Sequence, residues 1–148
     1  MVKTTQGIVK RTVGKHKQSV KGKRTKGLKM QETIQSIIEW HAKTFPDATL
    51  AGQKAKFDEE ITEYEKAITP TDIAFEMADL FIVACGIARF DNIQGMAYMA
   101  LVWHAYSHSF LAQSDFENAL KHKMEKNRKR VWNKTAEGTY HHENGIED

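Results

Sequence analysis

Cysteine, proline and long apolar runs are scarce in this sequence, and the scarcity of each excludes a class of structure. Cys85 is the one cysteine among 148 residues, so an intramolecular disulfide is excluded and we expect a reducing, cytoplasmic setting. No apolar run reaches the length that a bilayer requires, and the basic, polar start has no signal-peptide pattern. We therefore expect no membrane partner.

The two prolines lie between segments of helical periodicity, which favours long uninterrupted helices. Strand-type alternation, internal repeats and a glycine-rich phosphate loop are also missing. The apolar spacing instead predicts helices over roughly 30–44, 50–68, 71–90, 93–112 and 115–131. Thr49, Thr69 and Ser114 stand where the second, third and fifth helices need N-caps. We predict an all-α helical bundle of about four to five helices, forming one domain over residues 30–132.

Charge is distributed unevenly along the chain. Residues 1–29 carry ten Lys or Arg and no acid, which leaves 12 basic and 19 acidic residues in the remainder. High charge with few apolar residues does not offset the entropy of ordering, so we predict a disordered N-terminal extension. Its Lys and Arg either bind nucleic acid through the phosphates or form a solvated tail. Residues 133–148 are polar, and this composition predicts a flexible, irregular C-terminal tail.

Four acidic residues fall as two pairs, Glu60 with Glu63 and Glu76 with Asp79. Residues three apart share a helix face, so each pair projects both carboxylates in one direction. Two such helices packed antiparallel bring four carboxylates into one space, where like charges repel and burial is costly. A hard divalent cation such as Mg²⁺ resolves this conflict, because it prefers oxygen ligands.

The alternative is a solvated acidic face with salt bridges to nearby lysines. That explanation suffices for the helix over 50–68, which carries Lys54, Lys56 and Lys66. The helix over 71–90 is apolar nearly all round, so its interior acids, Glu76 and Asp79, are expected to be buried without a basic neighbour within one turn. We therefore favour a metal site.

The arrangement Glu59-Glu60-x-x-Glu63, then Glu76-x-x-Asp79, resembles the signature of the MazG-like all-α nucleoside triphosphate pyrophosphatases. Lys56 ahead of the acids matches the family's lysine, and Lys123-Met124-x-x-Asn127-Arg128 is similar to the run on its last core helix. The resemblance covers roughly residues 34–142. The basic extension and the helix over 93–112 are not part of the compact family pattern.

The resemblance implies hydrolysis of a nucleoside or deoxynucleoside triphosphate to the monophosphate and pyrophosphate. It implies Mg²⁺, with Mn²⁺ as a substitute, and a homodimer or homotetramer that completes the bundle. By position Glu60, Glu63, Glu76 and Asp79 would be the metal ligands, and the catalytic carboxylates would be Glu59, which orients or deprotonates water, and Glu60.

Positive and aromatic side chains complete the expected site. Lys56, Lys123, Asn127 and Arg128 would bind the phosphates, with Arg130 as a neighbouring candidate because Arg128 and Arg130 cannot both face one site. Lys123 and Asn127 share a helix face at i, i+4. The candidates for stacking on the base are Trp40, His41, Phe57 and Trp132, of which Trp40 and His41 are favoured. The alternative functions are a non-catalytic helical module that binds nucleic acid through residues 1–29, and a phosphoribosyl-ATP pyrophosphatase.

Overall fold

The computed structural model describes residues 32–134 and 140–142. This part of the chain folds into five helices, which confirms the predicted all-α bundle. Their bounds are α1 Ile34–Thr44, α2 Leu50–Lys66, α3 Pro70–Phe90, α4 Asn92–Ser107 and α5 Gln113–Lys129. The predicted disorder of residues 1–29, and its nucleic-acid alternative, lie outside the described residues.

Helix α3 is the centre of the bundle, and α1, α2, α4 and α5 all pack against it. It begins as the sequence predicts, with the Thr69 hydroxyl accepting a hydrogen bond from the Asp72 amide at 3.1 Å and Pro70 in its first turn. Twelve of its 21 residues are buried, including the uninterrupted run from Leu80 to Ala88. Its largest core contacts come from side chains such as Met77, Phe81 and Ile87.

The two helices on either side of α3 in sequence are also capped by their own residues. Thr49 caps α2 by accepting from the Gly52 amide at 3.0 Å, as predicted. Asp91 ends α3 and caps α4, accepting from the Gln94 amide at 3.0 Å. Helix α4 then packs very closely on α3, because a Cβ at Gly95 would lie 2.3 Å from the Ala88 Cα.

The predicted cap of the fifth helix is wrong. Helix α5 begins at Gln113, not after Ser114, and its N-cap is Ala112. The Ala112 amide donates to the Asp115 carboxylate at 2.9 Å, which is the half of a capping box that the acid at the third helical position supplies. The helix predicted over 93–112 also ends earlier, at Ser107.

The predicted irregular tail is wrong for the residues that the structure describes there. Two short strands, β1 Trp132–Lys134 and β2 Tyr140–His142, form an antiparallel ribbon in which Trp132 pairs with His142. Aromatic contacts stabilise the ribbon against the bundle, because Phe45 lies 5.1 Å from Trp132 and 4.8 Å from Tyr140 between ring centroids. The rest of the predicted tail lies outside the described residues.

No helix within residues 32–134 combines the length and the apolar character that crossing a membrane requires.

Candidate functional site

Three carboxylates converge on one cavity of the bundle. Glu60 projects from α2, and Glu76 and Asp79 project from α3. One carboxylate oxygen of each residue lies within 4.8 Å of the other two. We call these three residues the carboxylate cluster. The cavity has a volume of about 440 Å³, and the cluster lines it together with side chains from α1, α2, α5 and the ribbon.

Glu63, the fourth predicted ligand, lies at the rim of the same cavity. Its side chain is 57% exposed, and its Oε1 accepts from Lys66 at 3.3 Å. It is not part of the carboxylate cluster, although its negative charge contributes to raising the pKa of Glu76. The i, i+3 argument therefore places both α3 acids correctly, whereas on α2 it places one acid in the cluster and one at the entrance.

The cluster is electrostatically strained. Burial raises the pKa of Glu76, and the nearby carboxylate of Asp79 raises it further. Burial also raises the pKa of Asp79, an effect that the Lys123 ammonium opposes and Glu60 reinforces. The ionised form of both acids is therefore destabilised at this position, and a cation among them would reduce that free-energy cost.

Two ammonium groups border the cluster. Lys56 Nζ lies 2.9 Å from Glu60 Oε1 and 3.1 Å from Glu59 Oε2. Burial lowers the pKa of Lys56, but the carboxylates of Glu60 and Glu59 outweigh burial and raise it. Lys123 Nζ lies 2.9 Å from Asp79 Oδ2 across the α3–α5 contact. The expectation that Asp79 has no basic partner thus holds within α3 only, because α5 supplies one.

The ligand chemistry of the cluster fits a hard divalent cation. All its donors are carboxylate oxygens, with no sulfur or imidazole among them, which is typical of Mg²⁺, Mn²⁺ or Ca²⁺ sites. The three residues are partly buried rather than fully solvated, so their mutual repulsion is poorly screened. The carboxylate cluster could therefore hold a metal ion.

Part of the cavity lining is aromatic, and we call this part the aromatic wall. Trp40 contacts Phe45 edge-on, with ring centroids 5.4 Å apart, and lies 6.4 Å from Trp132. Both tryptophans line the cavity, as does Tyr140. Phe57, named as a stacking candidate, is instead 2% exposed and packs in the core against Tyr98 at 4.7 Å. It does not face the cavity.

His41 lines the cavity but is 3% exposed and held in a network. Arg89 Nη1 lies 3.2 Å from His41 Nδ1 and also donates to the Phe45 carbonyl oxygen at 2.8 Å. Burial lowers the pKa of His41 to about 4, although a hydrogen bond with Gln53 opposes the shift and the Arg89 charge adds to it. A neutral, fixed imidazole is a positioning group rather than an exposed stacking surface.

His41 should make the stability of the protein pH-dependent. Its folded pKa of about 4 lies below the ordinary histidine pKa of 6.5, so the unfolded chain binds a proton first as pH falls. The free energy of unfolding should therefore decrease by up to about 1.4 kcal/mol per pH unit between these values, or roughly 3 kcal/mol in all. Urea titrations at pH 7.5, 6.5, 5.5 and 4.5 measure this slope. His41→Leu should be less stable at pH 7.5 but show a shallower slope; identical slopes would exclude the contribution.

The α5 residues divide between the cavity and the outer surface. Asn127 is 6% exposed, lines the cavity, and accepts from Arg130 Nη1 at its Oδ1, 3.1 Å away. Arg128, a predicted phosphate ligand, instead makes a bidentate ion pair with Glu32 and does not line the cavity. Successive residues on a helix point about 100° apart, and Arg128 is turned towards Glu32 instead of the cavity. Of the two arginines, Arg130 lines the cavity.

Gln53 is a cavity residue that the sequence interpretation missed. Gln53, Lys56, Glu60 and Glu63 follow one another at i, i+3, i+7 and i+10 along α2, and all four line the cavity. That spacing is one helical stripe, so extending the acidic face one turn towards the N-terminus would have found Gln53. Tyr140 was missed for a different reason, because it reaches the cavity through the unpredicted ribbon.

Comparisons with protein-family profiles, curated protein sequences and solved structures find no match for this chain. The functional interpretation therefore rests on the residues of the site.

Proposed function

We propose that the protein hydrolyses a nucleoside or deoxynucleoside triphosphate to the monophosphate and pyrophosphate, with Mg²⁺ as its cofactor. One observation carries this proposal: a cluster of three carboxylates and two ammonium groups shares one cavity with an aromatic wall. A polyphosphate needs cations between itself and an acidic site, and a base needs a flat apolar surface. Residues of both kinds line this cavity.

Glu60, Glu76 and Asp79 would hold the metal, with Glu63 at the rim as a further ligand. Bound there, Mg²⁺ supplies charge stabilisation at the phosphoryl oxygens and acidifies water. Two partly buried α3 carboxylates with raised pKa values gain most from its presence. Mn²⁺ suits the same oxygen donors and is the expected substitute.

Positive side chains around the cluster would bind the phosphate charge. Lys56 and Lys123 already lie beside carboxylates, and Arg130 lines the same cavity. Each ammonium is a compact charge on a flexible stem, so it can turn from a carboxylate to a phosphate oxygen. Asn127, near the end of α5, is also tied to the ribbon, because its backbone carbonyl accepts a hydrogen bond from the Trp132 indole at 3.1 Å.

The reaction requires one water and one proton acceptor. The water oxygen forms a bond to the α-phosphorus, the bond from that phosphorus to the bridging oxygen breaks, and pyrophosphate leaves with the bridging oxygen. Glu59 lines the cavity, is 60% exposed at its side chain, and lies beside Lys56 at 3.1 Å. We assign it the proton from the attacking water, with Lys56 orienting its carboxylate.

A nucleotide panel tests the proposed activity. Purified protein with Mg²⁺ or Mn²⁺ should release pyrophosphate and the monophosphate in equal amounts from at least one of the ribo- and deoxynucleoside triphosphates. Phosphoribosyl-ATP belongs in the same panel, because a phosphoribosyl-ATP pyrophosphatase uses the same chemistry on it. Absence of pyrophosphate from every compound would contradict the proposal, and release of orthophosphate would show cleavage at another bond.

We also propose that the protein is a homodimer, or a homotetramer built from such dimers, and that α4 forms the interface. The outer face of this helix carries large apolar side chains in the open: Ile93 is 82% exposed, Met96 61%, Leu101 58% and Trp103 48%. These residues and Ala100 fall on one arc of α4, and the whole helix contains no Asp, Glu, Lys or Arg. An uncharged apolar face is suited to a second copy of itself.

A charge in the middle of this face should separate the subunits. Ala100→Glu would bury an unpaired carboxylate at the interface, so we expect the dissociation constant to rise about 100-fold or more. Light scattering coupled to gel filtration measures the change. Ala51→Glu, at an exposed alanine of α2, is the matched control and should leave the mass unchanged. A wild-type protein that is monomeric at tens of micromolar would contradict the proposed interface.

A further inference from the structure

The contact between Arg89 and His41 determines which ring nitrogen of His41 carries the hydrogen. Arg89 Nη1 approaches His41 Nδ1 at 3.2 Å. A guanidinium has donors and no acceptor, so Nδ1 must be the unprotonated, accepting nitrogen. The neutral imidazole therefore carries its hydrogen on Nε2. This assignment follows from donor and acceptor chemistry alone.

The protonated Nε2 in turn fixes the amide of Gln53. Gln53 Oε1 and His41 Nε2 meet above Gly86, and Gln53 opposes the lowering of the His41 pKa, as an oxygen acceptor beside the ring does. A Cβ at position 86 would lie 2.5 Å from Gln53 Oε1 and 2.9 Å from His41 Nε2, so the contact needs the bare glycine. Because Nε2 donates, Gln53 must present its oxygen to it, and the amide nitrogen faces away from His41.

The amide nitrogen of Gln53 is available to donate a hydrogen bond to a ligand in the cavity. Gln53 lines the cavity, and within residues 32–134 and 140–142 no hydrogen-bond partner is found for its Nε2. The same nitrogen is not one of the buried polar atoms that are sealed from solvent without a partner. Arg89, His41 and Gln53 thus present an oriented N–H donor at the cavity surface.

We propose that this amide nitrogen donates a hydrogen bond to a carbonyl oxygen of the nucleobase. Gln53 would then select nucleotides with a keto base over those with an amino group at the same ring position. The inference rests on the proposed function. Bases of the preferred class are uracil, thymine, guanine and hypoxanthine. An amino group would meet the amide donor with a second donor and leave both without an acceptor, which corresponds to a 10- to 100-fold loss in kcat/KM.

The position of Gln53 along α2 suits this role. It precedes Lys56 by three residues and Glu60 by seven, and all three line the cavity. At 1.5 Å per residue, Gln53 lies about 10 Å along the helix from the carboxylate cluster. A nucleotide with its phosphates at the cluster could reach Gln53 with its base over that distance.

Two pairs of substrates isolate the proposed contact. dUTP and dCTP share the O2 carbonyl and differ at ring position 4 and in the hydrogen on N3, and dITP and dATP differ at position 6 and in the hydrogen on N1. With Mg²⁺ and pyrophosphate detection, the wild-type protein should favour the keto member 10- to 100-fold in the pair that it hydrolyses faster. Gln53→Glu keeps an acceptor for His41 and replaces the donor by an acceptor, so the preference should invert. The ratio within a pair cancels any general effect of the added charge.

A second variant and a spectroscopic readout test the relay itself. His41→Phe frees the Gln53 amide to rotate, so the keto preference should fall towards one without inverting. In the wild-type protein, ¹⁵N NMR should show His41 protonated at Nε2 and not at Nδ1 at pH 7. Protonation at Nδ1 would overturn the relay. Hydrolysis of both members of each pair at equal rates would overturn the inference alone, whereas no hydrolysis of any nucleotide would overturn the proposed function with it.

Discussion

Replacing Glu76 by glutamine should abolish pyrophosphate release and, at the same time, make the protein harder to unfold in the absence of metal. The carboxylate lies within 4.8 Å of those of Glu60 and Asp79 at the ligand oxygens, and burial and like charge raise its pKa. An isosteric amide removes the repulsion, so the melting temperature should rise by a few degrees. The same change removes a metal ligand, and losing several kcal/mol of transition-state stabilisation lowers kcat/KM about 1000-fold or more.

Calorimetric melting with a chelator present, beside pyrophosphate release with Mg²⁺, measures both halves of this prediction. Glu65→Gln is the matched control, since Glu65 is an exposed residue of α2 that does not line the cavity. It should change neither quantity. A Glu76→Gln protein that melts lower and retains activity would show that the carboxylate stabilises the fold instead of serving a cation. An opposite movement of stability and activity is typical of functional sites.

Replacing Lys123 by methionine should lower both activity and stability. Its ammonium is 12% exposed at the side chain, lies 2.9 Å from Asp79 Oδ2, and sits 5.5 Å from the Phe75 ring centre. Loss of one charge-assisted contact to the phosphates corresponds to about a 100-fold lower kcat/KM. Asp79 also loses the cation that opposes its raised pKa, so the metal-free protein should unfold more easily.

The stability effect of Lys123→Met should depend on Asp79. Asp79→Asn removes the carboxylate that the Lys123 ammonium neutralises. In the double variant the loss of Lys123 should therefore cost less stability, so the effects of the two changes on unfolding should be clearly non-additive. Lys121→Met, at an exposed position of α5 outside the cavity, controls for removing a positive charge from this helix. Additive effects, or equal losses of activity from Lys121→Met and Lys123→Met, would contradict the role given to Lys123.

The sequence predicts the bundle well where helices carry their own start signals. Thr49 and Thr69 cap α2 and α3 as expected, and the apolar character of α3 identifies it as the buried centre. The i, i+3 spacing then brings Glu76 and Asp79 together, because both are fixed by the geometry of one helix. Local signals are sufficient for these features.

Features that depend on contacts between distant segments could not be predicted in this way. Arg128 pairs with Glu32, which is 96 residues away, so its assignment to the phosphate site failed and Arg130 faces the cavity instead. The ribbon of Trp132 and Tyr140 owes its position to Phe45, and three-residue strands leave no periodic pattern. The hydrogen bond between Arg89 of α3 and His41 of α1, from which we infer the orientation of the Gln53 amide, joins residues 48 positions apart and has no local signal.

Metal binding at the carboxylate cluster is the central claim, and Mn²⁺ titration followed by electron paramagnetic resonance tests it most directly. The signal of free aqueous Mn²⁺ decreases as the ion binds, so the measurement needs neither substrate nor turnover. The wild-type protein should bind Mn²⁺ in competition with Mg²⁺, and Asp79→Asn should weaken binding at least 100-fold, because a neutral amide replaces one of the three clustered carboxylates. Equal Mn²⁺ binding by the wild type and Asp79→Asn, or no binding by the wild type at millimolar Mn²⁺, would contradict the claim.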